Sequence, residues 1–209
     1  MTTKKEKVAK RYDRWSRWYD AFDMGGQGKQ KRYSVKALDI KKGQEVLDIG
    51  SGTGAILALA AEAAGPEGRV LAVDISSKMV DMVNKRYQGK YGGVIRAEKG
   101  DADALHFEDN RFPRILATFA ITSFPNPETS LKEMYRVLSP GGVLSLLDTG
   151  PPPRGRSRFS YSILKPVMRL AGHTHIERDG IAMAQAAGFK LKSVKRWKHS
   201  LVYCAVFTK

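Results

Sequence analysis

EVLDIGSGTG, residues 45–54, decides the fold of this 209-residue chain. Val46, Leu47 and Ile49 form a β-prone run with an acid, Asp48, inside it. Glycines follow at 50, 52 and 54, and then an alanine-rich stretch, AILALAAEAA. That order reads as strand, tight glycine turn, helix N-terminus. Glycine allows left-handed backbone angles and a close approach of ligand to main chain. The helix start presents N–H groups that have no intrahelical partner.

The same alternation repeats outward from this stretch. RVLAVD, residues 69–74, is a second strand ending in Asp74, and Ser76 is the N-cap of a helix running to about Tyr87. Val94–Lys99 is a third strand, followed by Gly100-Asp101-Ala102. Arg114–Ser123 reads as one long apolar fourth strand. Pro127–Leu138 is a helix with proline at its start, and Ser139-Pro140-Gly141-Gly142 a sharp turn before the fifth strand, VLSLLD. Glu177–Ala187 is a short helix closed by Gly188, and residues 189–197 and 201–208 form an antiparallel pair. Five β/α units in series imply an α/β fold, a doubly wound and mostly parallel sheet with helices on both faces.

The flanks differ in character. Val8, Tyr12, Trp15, Tyr19 and Phe22 share one face of a helix over residues 4–22, and Lys7, Lys10, Arg11, Arg14 and Arg17 crowd the rest. Met24-Gly-Gly-Gln-Gly28 is a hinge, and a second helix spans about 29–39. Pro151-Pro152-Pro153 marks a stiff linker before an apolar helix, Phe159–Leu170, with basic neighbours. The whole chain, 1–209, reads as a single domain, with a lid helix and hinge at 1–28 and a substrate-side insert at 150–176.

Charge is unevenly spread. The net +15 resolves into +7 for residues 1–45 (13 Lys/Arg, 6 Asp/Glu), −2 for 46–149 (11 and 13) and +10 for 150–209 (12 and 2). Basic flanks attract anionic lipid surfaces, phosphorylated substrates or nucleic acid. Cys204 is the only cysteine, which excludes an internal disulfide and a cysteine metal cluster, and no metal site is expected. The N-terminus is charged from Lys4 onward and lacks an apolar core, so no secretory signal is expected and the cytoplasm is the default compartment.

Two cofactor classes use a glycine turn of this kind. Gly50, Gly52 and Ala55 satisfy the dinucleotide pattern, whereas Gly50, Gly52 and Gly54 satisfy that of S-adenosylmethionine (SAM) enzymes. Asp48 tilts the choice to SAM, because a carboxylate there repels a pyrophosphate and suits the ammonium of a methionine moiety.

In combination, VLDIGSGTG, VDIS with Met79, GDA, and LKEMYRVLSPGGVLSLLD resemble the class I SAM-dependent methyltransferases over about residues 45–148. Within that class the chain is similar to the ubiquinone/menaquinone methyltransferases. Its YDRWSRWYD segment, residues 12–20, is similar to one in bacterial phosphatidylethanolamine N-methyltransferases. The resemblance implies the strand order 3-2-1-4-5-7-6 with strand 7 antiparallel. It implies that Gly50, Ser51, Gly52 and Gly54 cradle the methionine part of SAM with Asp48 near its ammonium. Asp74 would bind ribose, Ile75 and Met79 flank adenine, Asp101 and Ala102 read its edge, and Phe119 line the pocket. Pro113 departs from the pattern, since relatives often carry an acid at the start of strand four.

The implied function is methyl transfer to a small-molecule or lipid acceptor that is anionic or membrane-associated, a phospholipid amine or a quinone precursor. A peripheral contact with an anionic membrane surface goes with it. Tyr19 and His173 are the candidate catalytic residues, Tyr19 as a closing group and His173 as a base beside the alternatives Asp148 and His175. An RNA or other nucleic-acid methyltransferase and a noncatalytic SAM-binding partner protein are the competing readings. Phe124-Pro125-Asn126-Pro127 does not match the motif of amino-methylating DNA enzymes.

Overall fold

The computed structural model describes residues 3–23 (backbone alone from 15), 28–152, 161–162, 166, 175–197 and 200–209. Helices α1 (Lys4–Asp23) and α2 (Gly28–Ala37) precede β1 (Glu45–Ile49). Then follow α3 (Leu57–Ala64), β2 (Arg69–Asp74), α4 (Ser77–Tyr87), β3 (Ile95–Lys99), β4 (Phe112–Thr118), α5 (Pro127–Val137) and β5 (Leu138–Thr149). The chain closes with α6 (Gly180–Ala186), β6 (Lys190–Arg196) and β7 (Val202–Thr208).

The seven strands form one sheet in the order β3-β2-β1-β4-β5-β7-β6. Pairings among β1 to β5 are parallel, and β7 runs antiparallel to both β5 and β6. The expected order and strand direction are borne out. Each face of the sheet carries its own core. Leu47 and Ile49 pack with Ile115, Leu144 and Phe207 against Leu131 and Met134 of α5 and Ala184 of α6. Val46 packs with Val70, Ala72 and Leu116 against Val35 of α2, Leu38, and Leu57, Ala60 and Ala61 of α3. A strand covered on both faces reads as a nearly continuous apolar run, which β1 does apart from Asp48. With a side-chain period of two, Asp48 shares Val46's face, the one covered by α2 and α3.

Three local expectations need correction. β4 ends at Thr118 rather than Ser123: Phe119 takes a left-handed φ of 53°, and Ser123 and Phe124 both donate their N–H to Ala120 O. Buried Ile121 made this turn look like strand, since apolar runs do not distinguish the two. β5 begins before the Ser139–Gly142 turn, because pairing jumps from Phe112↔Leu138 to Arg114↔Val143. Pro113, which has no N–H for a ladder, sits at that shift. The helix expected from Glu177 starts at Gly180, where Asp179 caps it by accepting from Ile181 N and Ala182 N at 3.1 Å each. Of the helix expected over 159–170, only Tyr161, Ser162 and Pro166 are among the described residues, and all three are helical.

Candidate active site

β1 and β2 run parallel, so Asp48 and Asp74 reach the same edge of the sheet. A cleft of about 980 Å³, open to solvent, lies there. The glycine turn forms its floor: Gly50, Gly52 and Gly54 have φ values of 72°, 54° and 75°. A Cβ on Gly52 would meet nothing within 4 Å, so its backbone faces free space. A Cβ on Gly50 would press on Ala120 at 3.0 Å and on Phe124 at 3.2 Å. Gly54 faces away, where a Cβ would come 2.8 Å from Val83 of α4.

Asp74 braces this turn. Its Oδ2 accepts from Gly52 N at 2.8 Å and its Oδ1 from Ser76 N at 2.9 Å. Burial pushes its carboxyl up, and the backbone donors at Ser76 and Gly52 pull it back. Ser76 Oγ in turn accepts from Met79 N at 3.2 Å, the N-cap bond of α4.

Asp48 is the opposite case. It is 1% exposed, and neither carboxylate oxygen has a hydrogen-bond partner. Burial, reinforced by the charge on Asp74 and offset by that on Lys31, pushes it up to about 7. Ser51 Oγ and Thr118 Oγ1 are also buried without partners, and both line the same cleft. Buried polar groups left unpaired require a reason. Here they surround a space large enough for a ligand, with the acid placed to meet a cation.

The roof is α1. Lys5, Val8 and Tyr12, one face at steps of three and four, line the cleft. Lys5 Nζ lies 2.6 Å from Asp101 Oδ2 and 2.8 Å from Asp103 Oδ2. Asp13 Oδ1 accepts from Ser76 Oγ at 2.5 Å, and Tyr12 is hydrogen-bonded to Ser123. The helix is therefore tied to the loops after β2, β3 and β4.

The structure thus brings Asp48, Gly50, Ser51, Gly52, Asp74, Ile75, Asp101, Ala102 and Phe119 into the lining of one cleft. Met79 is fully buried and outside that lining, and Gly54 serves packing. Asp148 lies beneath the surface, 0% exposed, accepting from Thr122 Oγ1 at 2.6 Å and Thr149 N at 2.7 Å. That placement corrects the idea of Asp148 as a base. His175 is half exposed and paired with Glu177 Oε1 at 3.2 Å, outside the cleft lining. The Tyr19 side chain and His173 fall outside the described residues. Sequence reasoning missed Lys5, Lys31, Ser123 and Phe124 as cleft residues. Only Lys31 left a signal: it is the lysine in the buried stripe Lys31, Ser34, Val35, Leu38.

Comparison with known proteins agrees with this geometry. The model of the ubiE/COQ5 methyltransferase family matches residues 1–178. The ubiquinone/menaquinone biosynthesis C-methyltransferase UbiE of Neisseria meningitidis serogroup C is 35% identical over 164 residues, 77% of this chain and 65% of that protein. A demethylmenaquinone methyltransferase from a Geobacillus species is 30% identical over 168 residues, 80% of this chain and 70% of the relative. This chain therefore spans roughly two-thirds of their length. In fold it is similar to a SAM-dependent methyltransferase from Aquifex aeolicus, with a TM-score of 0.64 at 20% identity, covering 85% of this chain and 88% of that one. The cofactor that goes with such a cleft is S-adenosyl-L-methionine, whose ammonium suits the partnerless Asp48. The chain belongs to the ubiE/COQ5 methyltransferase family.

Proposed function

We propose that this protein transfers a methyl group from SAM to a ring carbon of a reduced, hydroxylated quinone precursor. The observation that carries the reading is the orphaned Asp48 carboxylate beside a glycine turn, in a chain of this family. When bound, the cofactor would supply an electrophilic methyl on a sulfonium: the ring carbon's electron pair would form the new C–C bond, the S–C pair would stay on sulfur, and the ring proton would pass to water.

The residues of this chain bind and orient. Asp48 would meet the ammonium, the Gly50–Gly52 backbone would let the methionine moiety lie close, and Asp74 would accept from ribose hydroxyls while holding the turn. Asp101 and Ala102 would meet the adenine edge, and Ile75 would pack against it. Phe119, Phe124, Pro125 and Val8 present apolar walls suited to a flat ring. Phe119 also packs with Leu147, Val202, Cys204 and Trp197, and Trp197 meets Tyr33 edge-on at 5.6 Å. Positioning of acceptor and methyl supplies much of the rate in such a transfer.

Such an acceptor resides in a lipid surface, and the chain's basic flanks suit one. β6 exposes Lys190, Lys192 and Lys195 beside Leu191 and Val194. Among the described residues no helix is long and apolar enough to cross a membrane. The test offers methyl-labelled SAM together with reduced demethylmenaquinone, phosphatidylethanolamine vesicles and RNA. Label on a ring carbon of the quinone is the expected result. Label confined to the amine lipid or to RNA contradicts the reading.

A further inference from the structure

We propose that Arg178 is a positioning residue for methyl transfer: it clamps the turn after β4, and so sets where the acceptor wall stands relative to the glycine turn. This rests on the acceptor reading above and deepens it by naming what fixes that wall.

Residues 119–125 join β4 to α5 outside any strand or helix. Five of them, Phe119, Ala120, Ser123, Phe124 and Pro125, line the cleft. The same turn lies against the cleft floor, where a Cβ on Gly50 would meet Ala120 at 3.0 Å and the Phe124 ring at 3.2 Å. It therefore reaches from the glycine turn to the apolar wall offered to the acceptor. A segment with no ladder or helix of its own must find partners for its peptide groups elsewhere. Without them it opens at little cost in free energy.

The N–H side of this turn is met by β5. Phe119 N donates to Leu147 O at 2.7 Å. Asp148, fully buried, accepts from Thr122 N at 3.2 Å and from Thr122 Oγ1 at 2.6 Å. The carbonyl side is met by the segment before α6. Arg178 Nη1 donates to Phe124 O at 2.7 Å, to Ile121 O at 3.2 Å and to Thr122 O at 3.4 Å. His175 N donates to Thr122 O at 2.9 Å. Hydrogen bonds from a charged donor are roughly twice as strong as neutral ones. Burial costs the guanidinium, and the charges of Glu128, Glu177 and Asp148 offset that cost.

The base of the clamp is itself held. Ile176 is buried, Arg178 N donates to His175 O at 2.9 Å, and Asp179 caps α6, whose Ala184 packs in the core. Arg178 is not part of the cleft lining, so it acts through the turn rather than on a bound molecule. Methyl transfer depends on such placement, because a shift of about 1 Å in the reacting partners can cost about 100-fold in rate.

The experiment uses the full chain, SAM, and reduced demethylmenaquinone with a short side chain. For Arg178→Met we expect kcat per SAM-binding site to fall about 10- to 100-fold. SAM affinity by calorimetry should stay within about threefold, with the number of sites unchanged, because Asp48, Asp74 and Asp101 share no partner with Arg178. Hydrogen exchange over residues 119–125 should quicken, while β1 and β2 keep wild-type protection. Arg178→Lys should recover most of kcat, because one nitrogen makes all three bonds and a lysine ammonium carries three donors. If Arg178→Met folds poorly, Arg178→Gln is read in the same way. Wild-type kcat or wild-type exchange of the turn in these variants overturns the proposal. So does a lysine variant no better than methionine, or a loss of activity matched by a loss of SAM sites, which marks a merely structural arginine. A wild-type protein that turns over no quinol overturns the acceptor reading instead, and the exchange comparison then decides whether Arg178 holds the turn.

Discussion

Asp48 is a carboxylate held out of water, with no donor facing either oxygen. Such a group costs stability until a ligand meets it, and the sign of its pH dependence follows. Its folded pKa of about 7 lies above the unfolded value near 4, so the folded state binds the extra proton between them. Its contribution to stability therefore falls as pH rises through that window. Asp148, pushed up to about 6 by burial, acts the same way. Asp103 and Glu133, held low by Lys5, Ser130 and Arg136, lose stability only at more acid pH. The ligand-free protein should melt higher near pH 5.5 than at pH 8 in a thermal scan. Asp48→Asn should flatten that difference and stabilise the ligand-free protein at pH 8 by about 1–3 kcal/mol. A function-bearing residue that weakens the empty fold is a common trade. Asp74→Ala should do the reverse. It weakens SAM binding by about 1–3 kcal/mol, and also lowers the melting temperature because Gly52 N and Ser76 N lose their acceptor. Asp48 and Asp74 were legible in the sequence because each sits in or ends a β-prone run. The second duty of Asp74, bracing the turn, depends on how β1 and β2 lie side by side and was not.

At the scale of elements, α1 is the roof, tied through Lys5, Tyr12 and Asp13 to three separate loops. Its amphipathic period was plain in the sequence. Its anchors were not, because Lys5 and Asp101 stand 96 residues apart and nothing in local spacing pairs them. Lys5 occupies the carboxylate offered to the adenine edge. Lys5→Met should therefore tighten SAM binding by a few-fold at low salt, with the gain fading as salt screens the pair. Titration of both proteins at two ionic strengths measures this, and equal affinities at low salt would show that Lys5 does not compete. Deleting residues 1–24 should leave a folded domain with little turnover. Unchanged turnover would remove α1 from the active site. The end of β4 was misread for a related reason: Phe119's left-handed turn is held by its N–H to Leu147 O at 2.7 Å, a contact made across strands.

At the scale of the molecule, a near-neutral cofactor-binding middle is flanked by segments of +7 and +10. That division was visible in composition alone, as was the doubly wound sheet. What the basic flanks touch depends on chemistry outside the chain. We expect sedimentation with anionic but not neutral vesicles, weakening as salt brings the Debye length below about 10 Å. Binding to RNA with a steep salt slope and indifference to vesicles would favour the nucleic-acid reading instead. Beneath all of this lies the claim that the cleft takes SAM through Asp48. Calorimetric titration of the wild type and Asp48→Asn with SAM and with NAD, at pH 8 and pH 6, tests it most directly. We predict micromolar SAM binding by the wild type that weakens and releases protons toward pH 6, as Asp48 must ionise to meet the ammonium. Asp48→Asn should bind SAM at least about tenfold more weakly at pH 8 and lack that pH response, and neither protein should bind NAD. NAD binding without SAM binding, or an Asp48→Asn protein that binds SAM as the wild type does, would contradict the account.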